Sequence, residues 1–170
     1  MRNKILGLFA AAALLAACET GPDSGSSAKG SAKGMMVKPG SQEDLVVKPG
    51  SQEDLVVSVG DRVFFDFDKF NIKSSDRKVL EKQAAWLKTY PKVFITIQGH
   101  ADERGTREYN LALGERRANS VKDYLISLGV NPGRVNTISY GKERPVATGS
   151  SESAWSQNRR GVTKVNRAGS

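Results

Sequence analysis

The stretch KVFITIQGHADERGTREYNLALGERRANSVKDYLISLG, residues 92–129, decides how the rest of the chain is read. Its first seven residues form a β-branched and aromatic run, which predicts a central strand over 92–98. From about 107 to 128 a helical spacing takes over. Leu111, Gly114, Ala118, Val121, Leu125 and Leu128 share one stripe, expected to be the core face, and Gly129 is placed to close the helix. Between strand and helix, QGHADERGTREYN (98–110) gathers one histidine, three acids and two arginines around a glycine turn.

The same strand-to-helix logic extends in both directions. RVFFDFD at 62–68 sets Val63, Phe65 and Phe67 on one face and Phe64, Asp66 and Asp68 on the other, the period of a strand. Ser74, Ser75 and Asp76 offer N-caps for a helix in which Val79, Leu80, Gln83, Ala84, Leu87 and Tyr90 keep helical spacing, ended by Pro91. Downstream, RVNTISY at 134–140 reads as a strand, 151–158 as a short helix and 160–166 as a last strand. Two strand–helix–strand units make an α/β (α+β) sandwich, with helices on one face of a small mixed sheet. The domain is expected to span 58–170.

The N-terminal part is of a different kind. Arg2 and Lys4 precede an apolar run from Ile5 to Ala17, shorter than the roughly 20 residues of a spanning helix. Residues 1–17 therefore read as an export signal. Leu15-Ala16-Ala17-Cys18 resembles the lipobox of bacterial lipoproteins, which makes Cys18, the single cysteine, the expected lipidation site. Acyl chains contribute roughly 0.8 kcal/mol per buried CH₂, so several chains give a stable anchor. Glu19 follows, where the enterobacterial inner-membrane retention signal has Asp; this favours the outer membrane. Residues 18–57 then read as a flexible tether, in which Glu19 to about Gly34 is Gly, Ser, Ala and Lys with almost no large apolar residue. Within it KPGSQEDLVV occurs at 38–47 and again, unchanged, at 48–57. Identity of that kind points to tandem duplication, and two copies are too few for a solenoid. The second copy has its native place beside the domain, and the first is most simply additional tether. About 35 linker residues have a coil dimension of roughly 30–35 Å.

The formal net charge is +8, with a sequence pI of about 9.7. A basic balance suits nucleic acid, anionic lipid or an anionic polymer, but an exported lipoprotein does not meet nucleic acid. A solvated basic surface is an equally good explanation. The residue inventory argues against catalysis. His100 is the single histidine, and no GxSxG elbow, HExxH or phosphate loop is present. Asp102 and Glu103 are adjacent and point apart, which does not bracket a scissile bond. No metal or cofactor site is expected, and His100 reads as a strand-end residue.

Binding fits better. Arg116 lies on the solvent side of the second helix, whereas Arg117 sits at the core margin in line with Asn110 and Leu113. A guanidinium at that margin needs an acceptor. Asp102 and Arg117 offer one anionic and one cationic arm, suited to a zwitterionic ligand. On the residues alone, a structural ion pair between the two is an equal alternative.

Three segments, VFFDFDKFNI, GHADERGTREYNLALGERRANSVKDYL and SYGKERPVATGSSESAWSQNRR, resemble the peptidoglycan-associated lipoprotein branch of the OmpA-like C-terminal domain family. They occur in the family's order and cover nearly all of 61–162. The resemblance implies an OmpA-like βαβαβ fold and non-catalytic binding of peptidoglycan through meso-diaminopimelate of the stem peptide. It assigns Asp102 and Arg117 to the ligand's amino and carboxylate groups, and Phe67 and Asp68 to the same pocket. Arg104, Tyr109, Asn110 and Leu113 match surrounding motif positions, Asn110 with a mainly structural role. The family further implies an outer-membrane, periplasm-facing protein of the Tol–Pal system, important in envelope integrity and division, with TolB as a competing partner. A periplasmic interaction adaptor, with wall contact secondary, is the alternative. Three features depart from the family: Arg107 stands where proline is common, Lys164 makes the last strand unusually polar, and the repeated block is foreign to it.

Overall fold

The computed structural model describes residues 47–167. Its elements run α1 (Gln52–Ser58), β1 (Arg62–Phe64), α2 (Ser74–Thr89), β2 (Phe94–His100), α3 (Arg107–Ser127), a 3₁₀ turn (Pro132–Arg134), β3 (Val135–Gly141), α4 (Glu152–Asn158) and β4 (Arg160–Arg167). The four strands form one mixed sheet in the order β1-β4-β2-β3. β2 and β3 are parallel and joined through α3; β4 runs antiparallel to both β1 and β2. β2 begins and ends two residues later than the strand expected over 92–98, and it is central, as its β-branched composition predicts. The polar β4 is central too: Thr163 is buried on the helix side while Lys164 faces out.

Register divides the sheet into two faces. Ile95 and Ile97 are wholly buried and pair with Val165 and Thr163 of β4 and with Val135 and Thr137 of β3. Together with Leu80, Ala84 and Leu87 of α2 and Ala118, Val121 and Leu125 of α3, they form the hydrophobic core. Gly99 and Gly161 also face the helices. A Cβ built on Gly99 would lie 1.8 Å from the Gly114 carbonyl oxygen, so α3 rests with its backbone directly on β2. Two side chains are missing at this crossing because nothing larger than hydrogen fits.

Several expectations are corrected. The core stripe of α3 runs through Leu113 and Arg117, not through Leu111, which is about half exposed. The close Gly99–Gly114 crossing turns the helix so that Leu113 faces inward. The alternation over 62–68 also stops early. β1 ends at Phe64, Phe65 stays buried, and Phe67 stands out on a loop, 57% exposed. Helix α2 starts at Ser74 with Lys73 as an N-cap lacking a side-chain bond; Asp76 instead accepts the Phe64 N–H at 2.9 Å.

The largest correction concerns residues 48–57. The second copy of KPGSQEDLVV is not linker but forms α1. Ser51 caps it, its Oγ accepting the Asp54 N–H at 3.2 Å. Leu55 is wholly buried in the core. Gln52 bridges to β4, donating to the Thr163 carbonyl at 3.3 Å and accepting from the Val165 N–H at 2.8 Å. Asp54 accepts from Trp86 Nε1 at 3.0 Å. Polarity made this block read as tether, yet its polar groups are what dock it. The first copy up to residue 46, the signal segment and Cys18 lie outside the described residues. No helix among the described residues is long and apolar enough to cross a membrane.

Candidate ligand-binding pocket

Where β2 ends and α3 begins, the chain folds into a cavity of about 210 Å³. Phe67, Asp68, Asp102, Arg104, Gly105, Tyr109, Asn110, Leu113 and Arg117 line it. All eight residues singled out from the sequence are brought together here. Three chain segments supply them: the loop after β1, the loop after β2 and the first three turns of α3. Thr106 starts that helix, its Oγ1 accepting the Tyr109 N–H at 3.2 Å. Asn110 is buried and ties the loop to the helix, donating Nδ2 to the carbonyls of Arg104 (2.7 Å) and Thr106 (3.0 Å). Gly105, at φ +90°, permits the turn between them.

Asp102 and Arg117 do not pair with each other. Asp102 is 4% exposed and accepts four bonds. Its Oδ1 takes the backbone N–H of Arg104 at 3.1 Å and its Nε at 3.2 Å. Its Oδ2 takes Nη2 of Arg104 at 2.6 Å and Nη1 of Arg159 at 3.2 Å. Burial works to raise the Asp102 pKa, but the bonds from Arg104 and Arg159 outweigh it and hold the carboxyl below its ordinary value. Arg159 itself is buried, bonded also to the Phe65 carbonyl at 3.0 Å and to Glu152. Arg104 makes cation–π contacts with two aromatic rings, its Cζ 3.9 Å from the Phe67 centroid and 4.0 Å from that of Trp155. Trp155 is in turn held by Glu103, which accepts its Nε1–H at 3.0 Å.

Arg117 is deeper than the helix margin. It is fully buried, and its fork ends on main-chain carbonyls: Nε on Lys69 (2.8 Å), Nη1 on His100 (2.8 Å) and Nη2 on Asp66 (3.1 Å). Burial lowers its pKa to about 10, opposed by the Asp102 charge, and the guanidinium remains protonated at neutral pH. Three of its five N–H groups are used in this way, leaving two. At the rim, Asp68 adopts a left-handed φ of 54° and accepts the Tyr109 hydroxyl. That bond raises the Tyr109 pKa, with burial and the Asp68 charge adding to it. Arg107, in place of the common proline, opens α3 without disturbing it and pairs at the surface with Glu143 at 3.4 Å.

Sequence reasoning missed Arg159, Glu152 and Trp155. Arg159 caps a helix of only seven residues, too short for a period to show which way its side chain points. The adjacent Arg159 and Arg160, both buried, were the available signal.

The fold and the site define a class: an α/β domain with a cleft of cations, carboxylates and an aromatic wall at the end of its central strand β2. The chain belongs to the OmpA family, which matches residues 64–159. Relatives called peptidoglycan-associated lipoprotein include that of Brucella melitensis, 60% identical over 111 residues, 65% of this chain and 66% of the relative. That of Rhizobium meliloti is 60% identical over 112 residues, 66% and 64% of the two chains. The match therefore spans just under two thirds of these relatives' length. Among solved structures, the peptidoglycan-associated lipoprotein of Burkholderia pseudomallei aligns with a TM-score of 0.61 at 44% identity, over 62% of this chain and 90% of that one. A C-terminal domain of Helicobacter pylori MotB aligns with a TM-score of 0.57 at 27% identity, over 62% and 83%.

Proposed function

We propose that the chain is an outer-membrane lipoprotein that grips peptidoglycan without chemistry, through the diaminopimelate of the stem peptide, within the Tol–Pal system and with TolB as partner. The names of the relatives support the wall-binding part of this reading. The observation that carries it is the convergence of Asp102, Asp68, Arg104 and Arg117 on one cavity. The free end of diaminopimelate carries ammonium and carboxylate on one carbon and needs both charges met within a few ångströms.

The two free N–H groups of Arg117 would receive the carboxylate. The four bonds to Asp102 already fill its acceptor positions. An ammonium therefore reaches it by displacing Arg104, the more exposed of its partners at 31% against 6% for Arg159. Asp68, bonded only to Tyr109, has acceptor capacity left and would take the ammonium first. Phe67 and Leu113 would pack on the aliphatic chain of the ligand.

Sedimentation with purified sacculi tests the reading. Wild type should pellet, and Asp102→Ala and Arg117→Leu should stay in the supernatant, with circular dichroism showing that each is folded. If both folded variants pellet like wild type, the pocket is not the wall site.

A further inference from the structure

The sheet face turned away from the helices carries a second cleft, of about 260 Å³, that plays no part in the pocket above. Cross-strand register places Arg62, Val162, Gln98 and Ile138 in one row across all four strands, with Lys164 and Thr96 in the next. The cleft opens over this face. Arg62, Arg144, Arg160 and Lys164 line it, and no carboxylate does. Only Arg62 has an acidic partner, Asp61 at 2.8 Å. Arg144 lies 3.8 Å over the Tyr140 ring, and neither it, Arg160 nor Lys164 forms an ion pair among the described residues.

Two of the lining residues are buried with polar atoms unmatched by any protein group. Arg160 is 4% exposed; Nη2 donates to the Arg144 carbonyl at 3.1 Å and Nη1 reaches the Asn158 carbonyl at 3.4 Å, while Nε has no partner. His100 is 2% exposed and neither ring nitrogen has one. Burying such donors unmatched is unfavourable, and burial pushes the Arg160 pKa down to about 10 although the Asp61 charge opposes it without forming an ion pair. The positive potential acts on His100: burial first, then the charges of Arg160 and Arg144, lower its pKa to about 3. The ring is therefore a neutral donor beside two unpaired cations, Arg160 and Arg144. Val146, 55% exposed, and Val162 add an apolar wall to the cleft.

We infer that this cleft is a binding site for a phosphomonoester, with the dianion held by Arg144, Arg160 and Lys164 and an apolar body resting on Val146. Three unpaired cations match a dianion better than a single carboxylate charge. The apolar wall favours an ester over inorganic phosphate, which would leave it wet. A soluble ester and a lipid headgroup share this chemistry.

The test titrates phenyl phosphate into the full chain and follows the amide signals of Gln98 and Val162 and the His100 ring by NMR. The expected result is saturable shifts confined to this face, with phenol giving none. The exposed double variant Arg144→Gln/Lys164→Gln should weaken binding about tenfold or more, the loss of charge-assisted bonds. Arg160→Lys, which keeps the charge but loses the fork, should weaken it as well. Sacculus binding by the double variant should equal wild type. Absence of saturable shifts up to about 10 mM, or equal binding by the folded double variant, overturns the inference. Where phenyl phosphate does bind, flotation decides the source. Phosphatidic-acid vesicles that carry wild type but not the double variant assign the phosphate to a lipid, and failure to carry either assigns it to a soluble ester.

Discussion

Replacing Arg117 with methionine separates what this residue does for the fold from what it does for a ligand. The substitution keeps most of the volume and removes the fork. Three carbonyl oxygens, of Asp66, Lys69 and His100, then lose their donor. Bonds from a charged group are each worth about 1.5–3 kcal/mol, so three sum to about 4–9 kcal/mol. Against this stands the cost of burying the guanidinium, several kcal/mol, which the variant no longer bears. The net loss is about 2–4 kcal/mol. For a domain of this size that lowers Tm by about 6–16 °C. Thermal and urea denaturation of the full chain, followed by circular dichroism, measure it, with the urea m-value unchanged. A fall of less than about 3 °C together with lost sacculus binding would refute the reasoning. Arg117 would then be a ligand group only, and its three carbonyls would be adequately served by water.

Two further predictions concern parts of the chain outside the pocket. Leu55→Ala should destabilise the domain by about 2–5 kcal/mol, as expected for a buried leucine, while deleting 38–47 should change Tm by less than about 2 °C; equal, small effects from both would return α1 to the tether. His100 has a folded pKa of about 3, below the ordinary 6.5, so the unfolded chain binds a proton that the folded one refuses. Its contribution is present above pH 6.5 and is lost as pH falls towards 3, at up to about 1.4 kcal/mol per pH unit. His100→Phe should flatten that acid slope, and an imidazole that titrates near 6.5 in the folded protein would contradict the burial.

Much of the fold was open to reading because its elements are long or strongly patterned. β2 announces itself by β-branched residues, and α3 by six apolar or small residues in register and a glycine stop. What escaped has a physical cause in each instance. Leu111 and Leu113 both suit a helical stripe, and only the Gly99–Gly114 backbone contact decides between them. Helix α1 has one wholly buried side chain, too few to make a period. At the pocket, the residue types and spacing named Asp102 and Arg117 as arms. Their actual partners could not be read, because Arg159 is 57 residues from Asp102 and the Arg117 acceptors are main-chain oxygens that every residue possesses. The resemblance to the family supplied the remaining lining residues except Gly105; periodicity alone would have put Phe67 in the core.

The way Arg117 is held also bears on how the domain would behave under tension. Its fork joins the loop after β1, at Asp66 and Lys69, to the end of β2, at His100, while its own Cα belongs to α3. A tug on a carboxylate seated there would be handed at once to three separate stretches of backbone. Linkages strained side by side divide the force and give way together, whereas linkages strained end to end open one after another. If the proposed wall grip holds, a clasp of the first kind would slip late and re-form whole.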